Sequence, residues 1–482
     1  MSGSDQTFLT ATAELLGQRG FTRDPELMAP WLTDWRGRYT GRACGLASPA
    51  TTAEAGALVK LCAAHGVAIV PQGGNSGMSG GATPDDGGLA LLVSLRRLNQ
   101  IGVVDSAARQ VTCGAGVVLQ HLHEAAAAAG LRFPLTLGGK GSATVGGLIA
   151  TNAGGTQVLR HGSMRAQVQG LEVVLADGTI WSALTPLKKD NRGFDLKQLF
   201  IGSEGTLGIV TAATLKLEPA IAQRTVVWLG LSSITDARQV LLDTQMVLGD
   251  ALEGFEVLPQ NCLDAVLAHV PAARVPLAGP HAWHALIELV SSDPAADLTG
   301  QAEQVLAAAL AAGLIEDATI AVSERQAEDF WALRDAISGA LRAKGSAVQH
   351  DISVPVARMA QFITMAIPTI EEAWPGCHAF AFGHLGDGNV HFHVTAPPGA
   401  VRGEWELGPG KAVSRMVHDL VAQWHGSISA EHGIGQMKRD ELARLGDPVA
   451  LDLMARVKTA LDPAGLLNPG KLLTLAPRGS NA

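Results

Sequence analysis

Three stretches of this 482-residue chain pack glycine among small polar residues too densely for an ordinary helix or strand. They are Pro71-Gln-Gly-Gly-Asn-Ser-Gly-Met-Ser-Gly-Gly81, Leu137-Gly-Gly-Lys-Gly-Ser-Ala-Thr-Val-Gly-Gly147 and Phe200-Ile-Gly-Ser-Glu-Gly-Thr-Leu-Gly-Ile-Val210. Asn152-Ala-Gly-Gly155 follows closely on the second. Glycine loses more backbone freedom on ordering than any other residue, so such runs are loops. Their N–H groups can approach an anion such as a pyrophosphate without Cβ atoms in the way. Any one of them reads equally as a tight turn; the set is hard to read that way. The 56 glycines exceed the usual share of about 7%, and the excess lies in these loops.

Two common nucleotide motifs are missing: there is no GxxxxGK[ST] and no GxGxxG between a strand and a helix. A net charge of −9 without a Lys/Arg block argues against nucleic acid as a partner. The longest apolar stretch, near 305–315, stops at Glu316-Asp317, well short of the roughly 20 residues that span a bilayer. No transmembrane segment is expected. The first ten residues lack the pattern of a secretory signal, so a cytoplasmic location is expected. Five scattered cysteines with no CxxC pair exclude a disulfide framework, an iron–sulfur cluster or a thiolate zinc site.

Hydrophobic periodicity predicts a helical segment at 8–34 and helices at 53–65 and 119–129. Strands are predicted at 67–70, 89–95, 110–116 and 171–175, the last closed by an Asp177-Gly178 turn. Beyond a boundary near Glu218-Pro219 the glycine loops thin out. Strands are predicted there at 228–231, 285–290 and 380–382, and helices at 235–247, 298–312, 327–342 and 356–367. Alternating strands and helices, with the sheet covered on one side, make an α+β fold class.

The most informative segment outside the glycine loops is His384-Leu-Gly-Asp-Gly-Asn-Val-His-Phe-His393. Asp387-Gly388 is a hairpin signal, which would bring His384 and the following strand together. His391 and His393, two apart on a strand, share a face. Neutral imidazole pairs suit zinc or another first-row divalent metal; they serve equally as polar groups flanking a turn. Glu431-His432, beside Gly433 and Gly435, reads alone as a cap or as part of a site.

Taken together, PQGGNSGMSGG at 71–81, GGKGSATVGGLIATNAGG at 138–155, HGSMRAQVQGLEVVLADG at 161–178 and KDNRGFDLKQLFIGSEGTLGIVT at 189–211 resemble the FAD-binding half of the vanillyl-alcohol oxidase (PCMH-type) superfamily. GHLGDGNVH at 383–391 and SAEHG at 429–433 resemble its D-2-hydroxyglutarate and D-lactate dehydrogenase branch. The resemblance implies a two-subdomain PCMH-type FAD-binding domain at 1–219 (core about 38–217). It also implies an α+β FAD-linked oxidase C-terminal domain at 220–450 for substrate and metal, and a segment at 451–482 returning to the first. Pro71, Gly73, Gly74, Asn75, Ser76 and Gly77 would hold the FAD pyrophosphate. Gly141, Ser142, Gly146, Gly147, Asn152 and Gly155 would line the isoalloxazine side, and Glu204, Gly205 and Ile209 the adenine side, with Asn468 returning to the flavin. Since 71–81 contains neither His nor Cys, non-covalent FAD is expected.

The same resemblance makes His384, His391 and Glu431 the ligands of a divalent metal, zinc first, and His432 the base at the substrate hydroxyl. The implied reaction oxidises a D-2-hydroxy acid such as D-2-hydroxyglutarate or D-lactate, with hydride passing to flavin N5. The electrons would leave to an electron-transfer flavoprotein or a quinone, and a homodimer is an expected assembly. An oxygen-using oxidase and a flavin-binding subunit of a glycolate-oxidase-like complex are the alternatives. Arg334 becomes a carboxylate clamp, and Ser338 stands where relatives have Thr. Two pocket positions depart from the branch: Gln349 replaces a lysine and His393 an asparagine. Losing that lysine should weaken binding of a second carboxylate, because charge-assisted bonds are roughly twice as strong as neutral ones. Lys140, Lys438 and Arg439 also match, with no catalytic role assigned.

Overall fold

The alanine-rich stretch at 53–65 forms the helix Thr52–His65. Thr51 caps it by accepting from Glu54 N, and Gly66 ends it in the left-handed region at φ 66, as an L-residue would do only at a cost. The computed structural model describes residues 3–187 and 189–474. The segment 8–34 is not one helix. Gly3–Gly20 ends at Phe21–Thr22, a short strand paired with Gly45–Ala47. Asp24 and Pro25 then start a new helix, Pro25–Leu32, since an Asp cap with Pro in the first turn favours initiation. The strands predicted at 67–70 and 89–95 settle as Ile69–Gln72 and Leu91–Ser94.

The chain divides into two units. The first comprises the chain up to Gly154, Gly162–Pro219 and the chain from Glu431 onward; the second comprises Gly155–His161 and Ala220–Ala430. In the first unit, one four-stranded sheet runs Phe21–Thr22, Gly45–Ala47, Leu91–Ser94, Ile69–Gln72, with its last three strands parallel. The other runs Gln110–Gly114, Ile209–Lys216, Val168–Val174, Ile180–Ala183 and is antiparallel. The C-terminal segment closes this unit, with Leu467 bridging to Ile69 and Asn468 N donating to Ile69 O at 2.8 Å.

The second unit is built on a seven-stranded antiparallel sheet. Its strands are β1 Gln223–Leu231, β2 Leu252–Pro259, β3 Trp283–Ser291, β4 Asp317–Ile320, β5 Ala347–Ser353, β6 His378–His384 and β7 Asn389–Thr395, in the order β4-β1-β3-β2-β6-β7-β5. On one face, Trp228, Leu258, Leu286, Phe380 and Phe382 pack against Cys262 and Leu263 of α1 (Gln260–His269) and Phe330, Leu333 and Ile337 of α2 (Glu324–Ala343). On the other, Phe362 of the helix Met359–Ala373 meets Phe392, and Ser414 of Pro409–Gln423 bonds His350 Nε2 at 2.9 Å. Helices therefore cover both faces, not one. The strands are long and apolar on both sides, as a doubly covered sheet requires.

Under α1 and α2, Trp228 Nε1 donates to His284 Nδ1 at 3.1 Å, and His284 Nε2 faces Gln260 Oε1 at 2.8 Å. Burial, with His281 adding to it, pushes the His284 pKa down to about 4. An unfolded histidine titrates near pH 6.5, so from about pH 6.5 to 4 the unfolded chain binds the extra proton and stability falls as pH falls. Thermal melts at pH 7, 5.5 and 4.5 are expected to show a falling Tm, with a shallower slope in His284→Gln. Equal slopes would remove His284 as the cause.

Candidate functional site

In the first unit the first glycine loop leaves the end of Ile69–Gln72 and packs backbone-first on the second. A Cβ on Gly74 would lie 1.7 Å from Ser142 O, and one on Gly73 2.2 Å from Thr144 Oγ1. A Cβ on Gly146 would lie 2.7 Å from Ala115 Cβ. These glycines are there because nothing larger fits. Gly77 and Gly141 have no atom within 4 Å of a Cβ position, and Gly147 has only Thr144 Oγ1 at 3.4 Å, so these backbones are open to a ligand. Asn75 takes φ 52 and donates from Nδ2 to Thr33 O at 2.8 Å. Among the described residues, the amides of 73–77 donate to no backbone oxygen. Thr144 Oγ1 and Asn468 Oδ1 are buried without a hydrogen-bond partner. Open glycine backbone and undirected amides suit a dinucleotide phosphate, Thr144 Oγ1 has a hydroxyl to donate, and Asn468 Oδ1 is an acceptor for a flavin N–H or hydroxyl, so the residues present fit FAD.

Several residues assigned to the flavin also do structural work. Asn152, left-handed at φ 49, ends the helix Val145–Thr151, and its Oδ1 accepts from Ser163 Oγ and Arg165 N at 2.9 Å each. Gly205, at φ 72, packs where a Cβ would lie 2.6 Å from Pro71 Cγ. Ile209 is buried at the start of Ile209–Lys216. Gly155 falls in the second unit. Glu204, buried and at φ 53, accepts from Ile434 N and Gly435 N at 2.7 Å each. Burial pushes its pKa up against the pull of those amides and of Lys438 and Lys471. Asn468 Nδ2 donates to Glu204 O at 2.7 Å and Gly81 O at 2.9 Å. Ser79 Oγ donates to His432 O at 3.2 Å and Gly433 O at 3.1 Å. The backbone carrying His432 is thus held within the first unit through its carbonyls.

In the second unit, β6 and β7 join through the Asp387-Gly388 turn. Gly388 takes φ 84, and Asn389 N donates to Asp387 Oδ1 at 3.0 Å. The hairpin brings the His384 and His391 rings to 5.5 Å. His391 and His393 share a face, each 5.2 Å from the Phe382 ring. Across that face, Asp351, His391 and Phe382 form one row, and Gln349, His393 and Phe380 the next. Ala430 N donates to Asp351 O at 3.3 Å, so the last residue of the second unit lies beside the strand that pairs with His391.

Glu256 on β2 organises this cluster and escaped the sequence reading. It pairs with His384 in register, its Oε1 lies 2.6 Å from His384 Nδ1, and its Oε2 accepts from Arg334 Nε at 3.0 Å. Its only sequence signal, an acid within an apolar strand, is shared with Glu253 three residues earlier. Burial works to raise its pKa, yet Arg334, His384 and His391 hold it down to about 2. With Nδ1 turned to the carboxylate, His384 presents Nε2 as a lone pair. Arg334 Nη2 lies 3.2 Å from that Nε2 and 3.4 Å from His391 Nε2. Burial and then the Arg334 charge push the His391 pKa well below 6.5, keeping it neutral. Two neutral imidazoles converging on one cationic donor, backed by a carboxylate, form a donor set that fits a divalent metal. Arg334 is turned to this cluster, with Ser338 one helical turn further along α2.

Comparison with known proteins follows the same division. Residues 221–472 match the family described as FAD linked oxidases, C-terminal domain, and residues 44–183 match an FAD binding domain. The chain is 38% identical over 455 residues to the mitochondrial D-2-hydroxyglutarate dehydrogenase of Bos taurus, covering 93% of this chain and 80% of that protein. It is 36% identical over 439 residues to the D-2-hydroxyglutarate dehydrogenase of Xanthomonas citri pv. viticola, covering 91% of each. Among solved structures, substrate-bound p-cresol methylhydroxylase superposes with a TM-score of 0.74 at 15% identity, covering 98% of this chain and 97% of that one. That last likeness is one of fold.

Proposed function

The chain belongs to the FAD-linked oxidase family, and from that membership we propose that it oxidises a D-2-hydroxy acid to the 2-oxo acid. FAD, when bound, takes up the two electrons as a hydride. The first unit's glycine loops hold it, with Pro71 to Gly77 at its phosphates. We further propose that His384, His391 and Glu431 hold a divalent ion, zinc first, whose charge favours ionisation of the substrate hydroxyl. Arg334 holds the substrate carboxylate by a charge-assisted pair, Ser338, Gln349 and His393 line the rest of the pocket, and the His432 imidazole takes the hydroxyl proton.

The observation that carries this reading is the pair of Nε2 lone pairs from His384, oriented by Glu256, and His391, both meeting the Arg334 guanidinium. The purified protein should be yellow, and acid precipitation should leave the flavin in the supernatant, because 71–81 offers no attachment residue. Flavin retained in the pellet would overturn non-covalent binding. Anaerobic mixing with D-2-hydroxyglutarate or D-lactate should bleach the flavin, and chelation should abolish the bleaching while FAD stays bound. Bleaching by metal-free protein would remove the ion from the reaction.

A further inference from the structure

The polar strip on the sheet face does not stop at His391. Same-face neighbours on a strand sit about 7 Å apart, twice the rise per residue. The next row beyond Asp351, His391 and Phe382 is Gln349, His393 and Phe380. Neither Gln349 nor Phe380 carries charge, yet a cation stands over this row. Lys344, at the C-terminal cap of α2, places Nζ 5.3 Å from the Phe380 ring centroid. That is within range of a cation–π contact, which holds an ammonium without neutralising it. Lys344 forms no ion pair among the described residues, and it is exposed. The neighbouring cations are committed: Arg342 Nε donates to Ser338 O at 3.2 Å, and Arg402 Nη2 to Arg342 O at 2.8 Å and Gly345 O at 3.2 Å.

α2 thus carries a positive group at each end of the strip, Arg334 at the His384 and His391 rows and Lys344 at the Phe380 row. An extended five-carbon diacid separates its carboxyl carbons by about 5 Å, from C–C bonds near 1.5 Å. With its hydroxy-acid end at His391, its far carboxylate spans most of the step of about 7 Å to the Phe380 row, beside which Lys344 Nζ lies.

We propose that Lys344 is a specificity-determining residue that pairs with the distal carboxylate of a five-carbon D-2-hydroxy dicarboxylate. This rests on the reading of the chain as a D-2-hydroxy acid dehydrogenase. It gives the pocket, from the helix cap, the cation that position 349 does not supply.

The test compares D-2-hydroxyglutarate with D-2-hydroxypentanoate, which has the same carbon count and no second carboxylate. In Lys344→Met the ratio of their kcat/KM values is expected to fall about 10- to 100-fold, the worth of one hydrogen bond to a charged group. The loss should appear in KM for the dicarboxylate and not in kcat. Lys344→Arg, which keeps the charge, should hold the ratio within about threefold of wild type. A ratio that moves less than about twofold in Lys344→Met overturns the assignment while leaving the dehydrogenase reading intact. A wild-type flavin bleached by neither acid overturns both.

Discussion

His432→Ala is expected to lower kcat by about 10²- to 10⁴-fold, the range for losing a general base, while flavin and metal content stay near wild type. The separation is possible because the loop holding His432 is tied by its backbone. Ser79 Oγ grips the carbonyls of His432 and Gly433, and Glu204 grips the amides of Ile434 and Gly435. Removing the ring leaves all four bonds in place. The measurement is kcat by stopped flow at saturating substrate, alongside metal and flavin analysis of the same sample. An unchanged kcat would take His432 out of the base role, and a variant stripped of metal would recast it as a ligand.

Glu256→Ala is expected to be the most destabilising single change in the second unit. It leaves the half-buried Arg334 guanidinium without its nearest carboxylate, with only Asp335 Oδ1 3.7 Å away, a loss that approaches the roughly 3–5 kcal/mol of a broken buried pair. It also frees His384 to rotate, and losing the partner that orients a ligand imidazole typically weakens metal binding about 10- to 100-fold. Thermal melts of the metal-free protein read the first effect, and competition with a chelator the second. Glu256→Gln keeps the volume and should recover part of the packing but little of the metal affinity. A Glu256→Ala protein that melts like wild type and keeps its metal against chelator would show that this carboxylate orients nothing.

The features legible in the sequence were those set by local chemistry. Asp387-Gly388 fixes a turn by itself, so the hairpin and the meeting of His384 with His391 could be read before any coordinates. The helices at 53–65, 119–129 and 298–312 needed only apolar spacing. What could not be read depends on residues far apart in the chain. Glu256 is unremarkable until β2 pairs with β6. The strand Ile209–Lys216 was hidden because the third glycine run enters it without a break. Phe21–Thr22 is too short to show periodicity and exists only because Gly45–Ala47 accepts it. The covering of both sheet faces follows from helix placement, which strand spacing does not encode.

The chain visits the second unit briefly before it has finished the first. Residues 155–161 belong to the second unit, where Arg160 Nη1 and His161 Nε2 lie 3.2 and 3.3 Å from Glu253 Oε2, and Leu159 fills the space a Cβ on Gly386 would need. The first unit, in turn, draws its last pieces from beyond residue 430: Ile434 and Gly435 on Glu204, and Lys458 Nζ on Thr206 O at 2.7 Å. During synthesis at about 5–20 residues per second, Glu204 waits roughly 10–50 s for Ile434, 230 residues later in the chain. For that interval its carboxylate and the Thr206 carbonyl lack their native donors, Ile434 N, Gly435 N and Lys458 Nζ. The unit begun first is the unit completed last, and a nascent chain halted before about residue 468 leaves the carbonyls of Gly81 and Glu204 without the Asn468 amide.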